Sequence, residues 1–179
     1  MGWGEIERQG LKLQKRIYRA AKREDHRPVR RLQTLWRRAR AVKLRAVRNV
    51  APDNHGKQTP GVDGVANRTP PERLDLGPHL HLQGHASPVR RGYMPKPGTT
   101  APRPVGIPTM ADRAKQALVK HVVEPAWEAA FEPNSAGCRP GRRTWEAIGA
   151  IAVQINQKPP WVLDADSAHG FDRLNHAAV

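Results

Sequence analysis

The chain has 179 residues, with 31 Lys and Arg against 16 Asp and Glu, a formal net charge of +15, and a single cysteine, Cys138. That length fits one domain, or one domain with an extension, and a modest core. The lone cysteine excludes an intrachain disulfide framework and a Cys-rich zinc site, no apolar run is long enough to span a membrane, and the N-terminus has no apolar signal region. The expectation is a soluble, cytoplasmic protein.

The charge is uneven. Residues 1–50 hold 16 Lys/Arg and 4 Asp/Glu, a net of +12. Such an asymmetry points to a polyanion-binding arm, with nucleic acid as the polyanion. A first helix is expected over about 5–23, with Ile6, Leu13, Ile17, Ala20 and Ala21 on one face and Lys12, Lys15, Arg16, Arg19 and Arg23 around the rest. Asp25 is a candidate cap before Pro28. A second helix is expected over about 28–50, with Leu32, Leu35, Trp36, Ala39, Val42 and Ala46 recurring at helical steps and Arg37, Arg38 and Arg40 among its surface cations. The two should form a hairpin.

Residues 51–88 lose the apolar periodicity and read as a long connection with turns at Pro60-Gly61 and Asp63-Gly64. Residues 89–108 read as a hairpin, with Val89–Met94 and Arg103–Ile107 as strands around a Lys96–Thr100 turn. A helix follows over about 110–131, capped by Thr109 with Asp112. Its apolar stripe is Ala114, Leu118, Val122 and the Trp127/Phe131 pair, and Pro125 should kink or break it. After a Gly/Pro turn at 133–143, Thr144 is expected to cap a helix to about Gln157 that turns Trp145, Ile148, Ala152 and Ile155 inward. Trp161-Val162-Leu163 then reads as a short buried strand.

Three constellations carry chemistry. Asp164 and Asp166 lie two residues apart at the end of the expected strand, on one face. Such carboxylates either hold Mg²⁺ or cap the next turn. The hairpin carries Arg90, Arg91, Lys96 and Arg103, the last two on either side of its turn, which suits either a phosphate clamp or a charged edge that blocks strand pairing. Arg139, Arg142 and Arg143 precede a helix N-terminus, which suits either an anion or plain solvation.

Taken in order, these pieces resemble the reverse transcriptase/maturase of group II introns, over about residues 11–65 and 87–179. Thr59-Pro60-Gly61-Val62-Asp63-Gly64 is similar to the family's TPGVDG signature. Pro95-Lys96, Arg103-Pro104-Val105-Gly106-Ile107-Pro108-Thr109, Asp112-Arg113 and Gln116 resemble its PK…RPLGIPT..DR..Q block. Glu124-Pro125, Phe131 and Asn134–Arg142 resemble EP…F..NSYGFRPGR, with Ala136 and Cys138 where the family has Tyr and Phe. Asp164, Asp166, Phe171-Asp172 and Asn175-His176 resemble the D.D….FD..NH palm motif.

The resemblance implies an α+β fold: a basic helical RNA-binding arm over 1–50, a connecting segment over 51–88, and fingers with the start of an incomplete palm over 89–179. It implies that Lys12, Lys15, Arg16, Arg37, Arg38, Arg40, Arg139 and Arg142 meet intron or template RNA. Lys96 and Arg103 would contact the incoming triphosphate, Phe171 would gate the sugar, and Asp166 would be a catalytic metal ligand. The chemistry implied is RNA-directed DNA polymerisation with Mg²⁺. The family's Tyr-Ala-Asp-Asp turn, which completes the metal site, does not occur in these 179 residues. The expectation is therefore an N-terminal fragment that binds RNA and does not polymerise alone, with Mg²⁺ held only if a separate C-terminal fragment completes the palm. The alternatives are a non-enzymatic RNA-binding protein and a non-functional remnant of a mobile-element reading frame.

Overall fold

A computed structural model describes residues 3–51, 53–66, 69–95, 97–98, 100, 102–157, 161, 163–167 and 175. The chain divides into two compact units, Met1–Phe131 and Glu132–Val179.

The first unit is mostly helical. Helix α1 (Trp3–Lys22) buries Ile6, Gly10, Ile17 and Ala20 on one face, as its periodicity predicts. It ends where Glu24 adopts a left-handed conformation (φ 57°) and the Asp25 amide donates to the Ala20 carbonyl at 3.0 Å. Helix α2 (His26–Arg38) then folds back onto α1, giving the expected hairpin. Asp25 stands at the N-cap position, but its carboxylate makes no capping bond.

The expected single helix over 28–50 is two helices. Ala39 is extended (ψ 123°) between α2 and α3 (Arg40–Val50). No Gly or Pro forces this break. Trp36 on α2 and Val42, Ala46, Val47 and Val50 on α3 share one core across it.

The long connection also holds structure that composition concealed. A 3₁₀ turn covers His55–Gln58, and α4 spans Pro70–His79 against α3. Helix α4 starts with a capping box: Glu72 Oε2 accepts from the Thr69 amide at 2.6 Å and from its hydroxyl at 2.8 Å. Pro70 and Pro71 fit because N-terminal helix positions need no amide donor.

Strands β1 (Arg90–Met94) and β2 (Arg103–Ile107) pair antiparallel, with Arg90 opposite Ile107 and Met94 opposite Arg103. These are close to the expected bounds. Helix α5 (Met110–Ala130) begins where the Thr109 hydroxyl accepts from the Asp112 amide. It buries Met110, Ala114, Leu118 and Val122 against α1, α2 and α3. Of the two outcomes expected at Pro125, a break does not occur: the residue is buried and the helix runs on to Ala130. Trp127 and Phe131 leave the apolar stripe, half-exposed, and stack on each other at 6.0 Å.

In the second unit, a turn-rich loop leads into α6 (Thr144–Gln157). The helix is where it is expected, but its apolar face is not inward. Trp145, Ile148, Ala152 and Ile155 are all exposed. The expected buried strand is not seen among the described residues: Trp161 and Leu163 are in no strand and almost fully exposed, while Val162 lies outside the described residues. Apolar composition alone does not bury a segment; a partner surface must cover it. No described helix is long and apolar enough to cross a membrane.

Candidate nucleic-acid interface

The helices α1 to α3 sort their cations by packing. Where Ile17 and Ala20 face the core, the helical period places Lys12, Lys15 and Arg16 outward, and all three are exposed. Arg37 and Arg38 follow the fully buried Trp36 and are exposed, as is Arg40 at the start of α3. Among the described residues, none of these six cations pairs with a carboxylate.

Other cations of the same segment are committed to the fold. The Arg48 guanidinium donates to Asp53 at 3.1 Å and lies over the Trp3 ring at 4.8 Å. Arg45 is half-buried, and its Nη1 has no hydrogen-bond partner. It lies toward a buried polar group: His121 of α5, whose Nε2 is 2.9 Å from the Asn49 amide. Burial, then the Arg45 and Lys120 cations, push the imidazole from 6.5 down to about 4, so His121 is neutral at neutral pH.

The hairpin is held by residues that the motif spelling names without explaining. Arg113, near the start of α5, donates through Nε to the Pro108 carbonyl at 3.1 Å, through Nη1 to Gly56 at 2.9 Å and through Nη2 to Thr59 at 2.6 Å. Arg90 of β1 donates to the Pro60 carbonyl at 3.0 Å. Gly61 then lies directly on the Pro108-Thr109 backbone; a Cβ there would sit 2.7 Å from Thr109 Cα. The TPGVDG and RPVGIPT..DR stretches are therefore two sides of one joint, which fixes the base of the hairpin on α5.

Asp112 seals the same joint. Its side chain is buried; it accepts from the Ser87 amide at 3.0 Å, the Thr109 hydroxyl at 2.8 Å and Lys115 at 3.1 Å. Burial alone pushes its carboxyl up, but these donors outweigh that and hold it below its ordinary value. At the other end of the hairpin, Arg103 is exposed at the first residue of β2. Lys96 lies outside the described residues.

In the second unit the expected anion loop is partly self-occupied. Arg139 is half-buried, and its Nη1 donates to the Glu132 carbonyl at 2.6 Å and the Ser135 carbonyl at 2.7 Å. Arg142 is exposed and lies 3.7 Å from Glu146. Arg143 sits over the Trp145 ring at 5.9 Å. Asp164 and Asp166 are exposed, and Asp166 Oδ1 accepts from the adjacent Ser167 amide at 2.8 Å. Phe171 lies outside the described residues. Among those described, no three His, Cys, Asp or Glu side chains converge as a metal site. The two exposed carboxylates do not by themselves supply what a pair of Mg²⁺ ions needs from the protein.

Sequence reasoning missed Arg113 as a clamp, Asp112 as a buried hub and the Arg45–Asn49–His121 group. The Thr109–Asp112 cap signal pointed to one of them; the others depend on carbonyls and side chains distant in sequence.

Comparison with known proteins gives a consistent picture. Residues 1–80 match the family described as the N-terminal domain of reverse transcriptase, and residues 94–179 match reverse transcriptase (RNA-dependent DNA polymerase). Protein YkfC of Escherichia coli K12 is 35% identical over 131 residues, which is 68% of this chain and 34% of that protein. Group II intron-encoded protein LtrA of Lactococcus lactis subsp. cremoris is 33% identical over 129 residues, 70% of this chain and 21% of LtrA. Maturase-like protein 1 of Euglena gracilis is 28% identical over 164 residues, 86% of this chain and 34% of that protein. The chain thus spans about a third or less of the length of these relatives. It belongs to the group II intron reverse transcriptase/maturase family and corresponds to the N-terminal portion of its members.

Proposed function

We propose that this chain binds intron or template RNA through the phosphates that meet Lys12, Lys15, Arg16, Arg37, Arg38 and Arg40. The observation that carries the reading is the division of labour among cations. Arg48 and Arg113 are tied to carboxylates or carbonyls of the fold, whereas these six are exposed on helices whose other faces are core. Unpaired cations on a rigid helical scaffold suit a phosphate backbone, since little ordering is needed on binding. In the second unit, Arg142, exposed beside Glu146, is a separate RNA contact, and Arg139 acts first as a brace of its own loop.

The family's chemistry is proposed for specific residues. Arg103, with Lys96, contacts the nucleotide triphosphate, and Phe171 packs beside its sugar. Asp166 is a metal ligand that takes Mg²⁺ once further carboxylates join it. On this reading residues 1–179 alone, working in the cytoplasm, bind RNA and extend no primer, and a separately supplied palm fragment is the partner that completes the site.

The test is a binding titration of a labelled RNA with the 179-residue chain, paired with primer extension in Mg²⁺ or Mn²⁺. Binding without extension is expected. Extension by the isolated chain that Asp166→Ala abolishes overturns the inactivity claim; absence of RNA binding overturns the reading as a whole.

A further inference from the structure

A groove of about 720 Å³ opens between the end of α1 and the outer face of α2. Its volume falls within the roughly 300–1,000 Å³ of sites that hold small-molecule-sized groups. Pro28, Leu32 and Leu35 line one wall at positions i, i+4 and i+7 of α2, a continuous apolar ridge. Leu35 is 55% exposed, although its pattern predicts burial. Arg16 of α1 and Arg27 and Arg31 of α2 line the groove with their cations, and Asp25 adds a carboxylate. That carboxylate stands at the N-cap of α2 and yet makes no capping bond, so its acceptors are not committed to the helix end.

Each feature answers a part of one ligand. An apolar ridge beside guanidinium planes suits the flat face of a base, which stacks on both. Cations at the rim suit the phosphates on either side of it. A carboxylate accepts and does not donate, so it selects a base edge that donates. Guanine presents two neighbouring donors on its Watson–Crick edge, N1–H and the N2 amino group. Adenine, cytosine and uracil present one donor group each. That edge is free only when the base is unpaired.

We propose that this groove binds an unpaired guanine of RNA, with Asp25 on its Watson–Crick edge, Pro28, Leu32 and Leu35 against its face, and Arg16 and Arg31 on the flanking phosphates. The proposal rests on the RNA-binding reading above and adds to it a preference for a looped or bulged nucleotide.

The experiment measures fluorescence anisotropy of the 179-residue chain with three RNAs of equal length. One is a hairpin with guanines in its loop, one carries inosine at those positions, and one is a fully paired duplex. Equal phosphate numbers hold the general electrostatic attraction nearly constant. The guanine loop is expected to bind about tenfold tighter than the duplex, and inosine, which lacks the N2 amino group, to lose about threefold to tenfold of that. Asp25→Asn should bring the guanine-to-inosine ratio close to one while duplex binding holds or rises, because a negative charge is removed. Leu35→Ala should reduce the loop preference without changing the salt dependence. Both side chains are exposed, and circular dichroism confirms that each variant is folded. Equal affinity of the wild-type chain for all three RNAs overturns the groove assignment and leaves RNA binding standing. Guanine selectivity that survives Asp25→Asn overturns it too. No binding to any of them overturns both readings.

Discussion

Helices α5 and α6 make an instructive pair. Both carry apolar residues at helical spacing, and both begin close to a Thr that the sequence marks as a helix start. In α5 the stripe Ala114, Leu118 and Val122 is buried because α1, α2 and α3 converge on it. In α6 Ile148, Ile151, Val153 and Ile155 are each more than half exposed. The local rule that makes a helix operates in both; the cover that makes a core operates only in the first. Stability in this chain therefore resides in the unit Met1–Phe131, and the same substitution should cost much on α5 and little on α6.

The sharpest way to break the comparison is at Trp36, which is fully buried among α1, α3 and α5. Trp36→Ala should cost on the order of 3–5 kcal/mol in urea unfolding. Trp36→Phe should cost much less, because the indole Nε1 has no partner to lose. A Trp36→Ala protein with an unchanged midpoint would mean that the core is not where it is described.

The next effect is one of pH. His121 is held neutral down to about 4 in the folded chain, against 6.5 for the free side chain. The unfolded state takes up the proton first as pH falls, so stability is intact above 6.5 and is lost between 6.5 and about 4. The full loss is on the order of 3 kcal/mol. Urea midpoints at several pH values should show this slope in the wild type and a shallower one in His121→Gln. Asp112 works in the same direction further down: its carboxyl is depressed, so its share is present above the ordinary value and vanishes as pH falls through the lowered one.

The joint under the hairpin comes third. Gly61→Ala forces a Cβ against the Thr109 backbone, and a shift of that kind costs about 1–3 kcal/mol. Arg113→Ala leaves the carbonyls of Gly56, Thr59 and Pro108 without that donor and should cost about the same. Hydrogen exchange would place the effect: amides of β1 and β2 should lose protection before those of α1. The smallest effect belongs to α6, where Ile148→Ser should change stability of the chain by no more than about 0.5 kcal/mol. A loss comparable to that of Leu118→Ala would erase the contrast between the two helices.

These differences also mark what was legible in the sequence. The hairpin was readable because prolines and glycines punctuate both ends of two short alternating runs, and β1 and β2 fall within a residue of expectation. The cap at Thr109 was readable for the same local reason. Helix α4 carries an equally local signal, Thr69 with Glu72 and two prolines between, yet the surrounding His, Gly and Pro content obscured it. The break at Ala39 had no local signal: no Gly or Pro stands there, and the apolar steps run on through it. Helix α5 continues past Pro125 because the penalty for a helical proline is local, whereas the burial of its ring is tertiary. At the candidate interface, the exposed cations follow from helical phase alone. Arg113 does not, because two of its carbonyl partners lie 57 and 54 residues away.

The central claim is that cations left unpaired by the fold, on α1 to α3, meet RNA phosphates. Deleting residues 1–50 cannot test it, because those helices also supply Ile17, Trp36 and Val47 to the core. The direct measurement is the RNA affinity of the folded chain across a range of salt, for the wild type and for Arg37→Ala/Arg38→Ala/Arg40→Ala. Log affinity should fall linearly with log salt, and the triple substitution should flatten that slope by about two units. Binding that ignores salt, or a triple variant whose slope equals that of the wild type, would contradict the account.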